Sequence, residues 1–384
     1  MAGFRNPVTT SFDEAQALAS SWSPLAPATV PLTAALGCVL AEPLASLTDV
    51  PAFPTSAMDG WAVAGSGPWR VLPGRDLAGG TPVPLAPGEA REVATGAMVA
   101  GDSVVRREDG TVEAGLLQAE VSPGKEVLPV AGECRRGDEL LPAGTVVTPP
   151  VLGLAAGTGH DDLLVRRRPT VAVAVLGDEL LDSGLPGDGR VRDSLSLQLP
   201  GWVAGLGGEV VSVTRVPDEL DATVAALRAT ADVVVSTGGT AAGPVDHVHG
   251  ALAELGAELL ADGVMCRPGH PMVLARLADG RPYVGLPGNP LSAFVSVMAL
   301  LAPVLDALSG KRSWIGSAVA GETFKGRDPD VRLVPVTDHD GAVRAVDHLG
   351  SMMLRGLAQA HAVAVIPPQG ASEGDALRLL ELPW

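Results

Sequence analysis

Two apolar runs, TVAVAV at 170–175 and the valines of DVVVS at 233–235, constrain this chain more than any other feature. A strand with one face in water alternates polar and apolar residues, whereas one that is apolar throughout needs cover on both faces. The surrounding text supplies that cover. Helix-period segments near 194–206, at DELDATVAALRAT, at DHVHGALAEL and from Pro290 onward alternate with the strand-like EVVSVTRV, PMVLARL and PYVGL. The alternation predicts a doubly wound, mostly parallel α/β sheet over 169–312, with ligands beyond the carboxyl ends of its strands.

The flanks read differently. A chain of 384 residues is too long for one ordinary core. In 1–45, VPLTAALGCVLAEPL reads as a helix closed by Pro43, and in 142–168, PPVLGLAAGTG reads as a second helical piece. Together they suggest a split helical domain. The 46–141 stretch, with short Val-rich runs broken by Gly and Pro, reads as a β-rich insert, and 313–384 reads as a small β-barrel-like domain.

A formal charge of -17 disfavours general binding to nucleic acid or an anionic membrane, but leaves room for a small anion held by local donors. Cys38, Cys134 and Cys266 are widely spaced and odd in number, which predicts free thiols in a reducing compartment. The run from Phe294 to Leu308 reads as too short to cross a bilayer, and the first residues lack the pattern of an export signal. A soluble cytoplasmic protein is expected.

Five loops carry polar residues. STGGTAAGPVDHV places Thr237, Gly238 and Gly239 at a strand's carboxyl end, where glycine amides can turn toward an anion ahead of a helix N-terminus. The alternative is a tight turn made by Gly238, Gly239 and Gly243, with Asp246 as the helix cap. GLPGNPLSA offers Pro287, Gly288, Asn289 and Ser292 in the grammar of a helix start, and its amides could also face an anion. LGDEL offers Asp178 and Glu179, on the same predicted rim as Asp246, and CRPGHP offers Arg267 and His270. His247 and His249 read as helix-surface residues. In the insert, SAMDGWAV holds Ser56 and Asp59, the latter readable simply as a turn residue.

Taken in order, SAMDGWAV, VATGAMVAGDSVV, LGDEL, STGGTAAGPVDHV, RPGHP, GLPGNPLSA and LGSMMLRGLAQAHAVAVIP resemble the molybdopterin molybdotransferase family, which includes the E domain of gephyrin. The resemblance covers essentially the whole chain. It implies an elongated homodimer with four domains per subunit. It further implies a transferase that inserts molybdate into adenylylated molybdopterin, releasing AMP and completing the molybdenum cofactor.

By the same resemblance, Thr237, Gly238 and Gly239 would cradle the nucleotide phosphates, and Asp246 with Glu179 would hold Mg²⁺. Asp59 and Thr95 would act from the partner's insert, where Ser56 would bind substrate. Arg267, His270, Pro287, Gly288, Asn289, Ser292, Arg327 and Ser351 would bind substrate, molybdate among them. The preceding adenylyltransferase and recipient molybdoenzymes are the implied protein partners. Several positions depart from the family pattern: His270 stands for a lysine, Cys134 for an acidic residue and Leu195 for an asparagine, while no lysine stands near Asp262 or Gly263. These changes leave open a carrier or scaffold that binds molybdopterin without turnover and, further off, a metal-dependent nucleotide pyrophosphatase.

Overall fold

The computed structural model describes residues 9–240, 246–312 and 316–384. Its central sheet contains β1 (Thr170–Leu176), β2 (Glu209–Val216), β3 (Val233–Thr237), β4 (Glu258–Asp262), β5 (Val273–Arg276) and β6 (Pro282–Leu286). They lie in the order β2-β1-β3-β6-β5-β4, and β2, β1, β3 and β6 are parallel. β5 and β4 extend the sheet antiparallel. The reason is the connection: β5 reaches β6 through the short Asp279–Gly280 turn, and a parallel pair needs a much longer crossover. β4, written ELLAD, escaped the sequence reading because its alternation is too brief to separate from the preceding helix.

The alternation of strand side chains divides the core in two. Val171, Val173, Val175, Val233 and Val235 face one cluster, built with Phe12 of α1 (Phe12–Ala19), Trp202 of α3 (Leu195–Gly205) and Phe294 of α6 (Pro290–Ser296). Ala174, Leu176 and Val234 face the other, with Val224 of α4 (Leu220–Leu227) and Leu252 of α5 (Val248–Glu254). Both faces are therefore covered, as an all-apolar strand requires.

α6 runs on through a π-helical stretch, Val297–Leu301, into α7 (Ala302–Ser309). The resulting Pro290–Ser309 helix has 20 residues and a mean hydropathy of 2.0, which corrects the expectation that this run is too short to cross a bilayer. By length and composition it is long enough, but 83% of it is buried inside the molecule as a core helix.

The N-terminal flank corrects the sequence reading. VPLTAALGCVLAEPL is not a helix. It contributes strand residues Ala28–Pro31, a 3₁₀ turn at Leu32–Ala34 and short strands Val39–Leu40 and Leu44–Ala45. Gly37, at φ +78°, breaks any helical run there, and pairing with Asp162–Arg166 overrides the alanine content. α2 (Pro149–Gly157) does form, and Val151 and Ala155 pack with Leu40, Leu44, Leu163 and Val165. The insert between the flanks carries a six-stranded sheet.

At the C-terminal end, Val331–His339 pairs with both Ala342–Ala345 and Ala362–Ile366. The ring closes through Gly316–Ala320 and Ala376–Glu381 into a small barrel. A two-residue parallel ladder, Cys266–Arg267 with Val331–Arg332, ties the barrel to the α/β unit. The three cysteines are free and buried.

Candidate functional site

The register of the parallel strands decides which loops meet. Leu176 lies beside Val216, Val175 beside Thr237, and Thr237 beside Leu286. The loops that follow these residues therefore open on one rim.

On that rim Gly238 and Gly239 have φ of +80° and +64°, a conformation that disfavours L side chains. They also sit too close to their neighbours for a side chain. A Cβ on Gly239 would lie 3.1 Å from both Leu176 Cδ1 and Val248 Cγ2. The Gly238 amide, however, donates to the Leu286 carbonyl at 2.9 Å, so it extends the sheet and does not turn toward an anion as expected. Thr237 is only 2% exposed. Thr237 and Gly238 thus form a floor for the rim, and the Gly238 amide is not a free donor. Gly243 lies outside the described residues.

Asp246 precedes His247, which occupies the N-cap position of α5, so Asp246 is not the cap that the simpler reading made it. His247 and His249 are not plain surface residues either. His247 Nε2 contacts the Asp218 carbonyl at 3.1 Å, and His249 Nε2 contacts Asp262 Oδ1 at 2.8 Å. The Asp262 hydrogen bond raises the His249 pKa against the opposing effect of burial, aided by the charges of Asp262 and Asp246.

Glu179 is exposed, and its carboxylate folds back over Gly177, where a Cβ would lie 2.5 Å from Oε2. The Asp178 amide donates to Asp218 Oδ2 at 3.2 Å. Asp218, two residues past the end of β2, thus joins the same rim. Sequence reasoning passed over it, although its position after a strand of the parallel sheet was the available signal. Among the described residues no three His, Cys, Asp or Glu side chains are gathered as a metal cluster. The chemistry of the rim is nonetheless that of carboxylate oxygens, the donors a hard divalent cation takes.

Beside this rim, a cavity of about 420 Å³ lies between the α/β unit and the barrel. The two sites adjoin, since a Cβ on Gly288 would fall 3.7 Å from the Cα of Gly238. Arg267, His270, Pro287, Asn289 and Ser292 line the cavity from the α/β side, and Arg327, Arg332 and Ser351 from the barrel side. Seven residues singled out in the sequence therefore share one cavity with Arg332, which was not singled out.

The start of α6 behaves differently from expectation. The Leu291 and Ser292 amides donate to the Ser351 carbonyl at 3.0 and 3.4 Å, so they do not face an anion. Asn289 occupies the N-cap position without capping. Its Nδ2 lies instead 3.5 Å from Ser351 Oγ. Positive potential in the cavity comes from side chains, chiefly the guanidinium groups. Arg267 Nε donates to Asp330 Oδ2 at 2.9 Å, and Arg327 Nε lies 3.8 Å from the same oxygen. His270 Nδ1 contacts the Val264 carbonyl at 2.8 Å, which requires the proton on Nδ1, so Nε2 becomes a donor only when the ring is charged.

In the insert, Asp59 is no idle turn residue. It accepts from the Thr95 amide at 2.7 Å and the Thr95 hydroxyl at 2.9 Å, and Arg75 lies at 3.2 Å. The Thr95 amide first, then its hydroxyl, hold the Asp59 carboxyl below the usual range, while its side chain stays 54% exposed. Ser56 differs from the expectation of a substrate contact. It is 1% exposed, and its hydroxyl donates to the Met58 carbonyl at 2.6 Å, shaping the turn that presents Asp59. The departures from the family pattern also find places. Cys134 is buried against Ser46, Leu195 belongs to the core, and Asp262 is paired with His249.

Comparison with known proteins agrees with this layout. Residues 10–159 match the model of the "MoeA N-terminal region (domain I and II)", and residues 172–307 match that of a "Probable molybdopterin binding domain". A molybdopterin molybdenumtransferase from Nostoc is 31% identical, with 92% of this chain and 88% of that protein covered. Molybdopterin molybdenumtransferase 2 of Mycobacterium tuberculosis is 34% identical over 74% of this chain and 76% of its own length. The crystal structure of a molybdopterin biosynthesis MoeA protein from Pyrococcus horikoshii superposes with a TM-score of 0.77 at 26% identity, covering 98% of this chain and 99% of that one. With the motifs in order, the strand topology and a relative above 30% identity over most of both chains all in agreement, the chain belongs to the MoeA family of molybdopterin molybdenumtransferases.

Proposed function

We propose that this chain is a working molybdopterin molybdotransferase that inserts molybdate into adenylylated molybdopterin and releases AMP. The observation that carries the reading is the convergence of Arg267, Arg327, Ser292, Ser351, Asn289 and His270 on one 420 Å³ cavity beside the carboxyl rim of the sheet. A tetrahedral dianion takes several converging donors, and a chain of net charge -17 has little reason to gather three arginines in a concavity except to hold an anion.

In this reading Arg267 and Arg327 take molybdate oxygens, and the hydroxyls of Ser292 and Ser351 and the amide of Asn289 complete the seat. Thr237, Gly238 and Gly239 let the phosphates approach the sheet closely, by lacking bulk more than by donating hydrogen bonds. Glu179 and Asp246, with Asp218 beside them, would hold Mg²⁺, which when bound supplies charge neutralisation for cleavage of the phosphoanhydride. Asp59 and Thr95 would enter from the insert of a second copy in a homodimer. In support, Asp59 is well exposed and all its hydrogen bonds stay within the insert.

Turnover of adenylylated molybdopterin by the purified protein, followed as AMP release with and without molybdate, tests the reading. Molybdate-dependent release that disappears in Asp246→Ala supports the transferase. Binding without turnover would leave a carrier, and molybdate-independent cleavage of other dinucleotides would indicate a pyrophosphatase.

A further inference from the structure

Of the three arginines that line the cavity, Arg332 donates from Nη1 to the Lys325 carbonyl at 2.7 Å; the other two, Arg267 and Arg327, repel each other and, on flexible stems, spread apart unless something fixes them. Asp330 is placed to do so. It is 7% exposed, accepts from Arg267 Nε at 2.9 Å, and lies 3.8 Å from Arg327 Nε through the same oxygen.

Its backbone is fixed as well. The Asp330 amide donates to the Arg327 carbonyl at 2.7 Å, closing the turn that carries both residues. The next residue, Val331, donates to the Met265 carbonyl at 3.0 Å and pairs with Cys266, stitching that turn to the strand bearing Arg267. Among the described residues the Nε bond is the only hydrogen bond made by the Arg267 guanidinium, so its two terminal nitrogens keep their donors for a ligand. One buried carboxylate therefore anchors Arg267 by a hydrogen bond and draws Arg327, from a different part of the fold, toward it by charge.

We propose that Asp330 is a positioning residue that gives the cavity its selectivity among tetrahedral dianions, favouring molybdate over the smaller sulfate. This rests on the reading of the cavity as the molybdate seat. Sulfate and molybdate share charge and shape, so net charge alone cannot separate them, and fixed donor spacing can.

Titration calorimetry with sodium molybdate, alone and in competition with sodium sulfate, tests the inference on the full chain. Asp330→Ala is expected to bind molybdate about tenfold more weakly, the scale of one charge-assisted hydrogen bond, and to lose most of its preference over sulfate. The KM for molybdate should rise while kcat at saturating molybdate and the KM for adenylylated molybdopterin hold. Asp330→Asn keeps the shape and an acceptor for Arg267 and should lose less, which preserves the test if the alanine variant folds poorly. Unchanged or tighter molybdate binding with unchanged selectivity in either folded variant would overturn the role of Asp330 alone. A parent protein that does not bind molybdate at all would overturn the reading of the cavity, and this inference with it.

Discussion

The two ends of the parallel strands use charge in opposite ways. At the amino ends Asp232, just ahead of β3, accepts from both terminal nitrogens of Arg167 at 2.5 and 2.8 Å and from the Thr170 amide and hydroxyl at 2.7 and 2.6 Å. Nearby, Arg281 donates to the carbonyls of Ala229 and Ala231 and pairs with Asp279. At the carboxyl ends Glu179 stands exposed, and Arg267 keeps two nitrogens toward an open cavity. Charge that is saturated by the protein's own groups holds strands together. Charge left with donors or acceptors in hand is available to a ligand.

Substitutions at the two ends should therefore separate activity from stability. The largest effect belongs to the carboxyl rim: Asp246→Ala should cut molybdate-dependent AMP release by about 10³-fold, as expected for loss of a group that holds a catalytic cation. Its thermal midpoint should fall by less than that of Asp232→Asn. A comparable fall in midpoint would mean that Asp246 is scaffold, and the contrast between the two ends would fail.

Asp232→Asn should do the reverse, lowering unfolding free energy by about 2 kcal/mol in denaturant titration while leaving kcat unchanged. Burial pushes the Asp232 carboxyl up, but the Arg167 and Thr170 hydrogen bonds outweigh it and hold it at about 2. Because the folded value lies below the unfolded one of about 4, its contribution is complete above that value and is lost as pH falls toward about 2. The acid limb of the stability profile should accordingly be shallower in Asp232→Asn than in the parent, and identical limbs would remove Asp232 from the account.

A smaller effect is expected within the cavity. Arg327→Ala should raise the KM for molybdate about tenfold and leave the KM for adenylylated molybdopterin unchanged. Equal rises in both would place Arg327 on the nucleotide side.

The smallest is expected at His270, which lines the cavity with Nδ1 tied to the Val264 carbonyl. His270→Ala should raise the KM for molybdate a few-fold, and His270→Lys should restore it. An unchanged KM in His270→Ala would exclude the role.

Much of this layout was legible in the sequence where local pattern and tertiary demand agree. TVAVAV and DVVVS admit little besides buried parallel strands, and the motif order pointed to residues that share the cavity. Legibility failed where a distant partner decided the outcome. The helical texture of VPLTAALGCVLAEPL yielded to a strand 130 residues away, and the amides at the start of α6, plausible anion donors by their grammar, are taken by the carbonyl of Ser351. Asp330 was invisible for a related reason: it matters through what it touches across the fold and stands in no motif that announces it. Asp218 was marked only by its place just after a strand of the parallel sheet.

The most direct test of the central claim is where molybdenum goes. Crystals soaked in molybdate and measured at the molybdenum absorption edge should show an anomalous peak in the cavity between Arg267, Arg327 and Ser351. A peak elsewhere, or none at concentrations that saturate turnover, would contradict the assignment of this cavity as the molybdate seat.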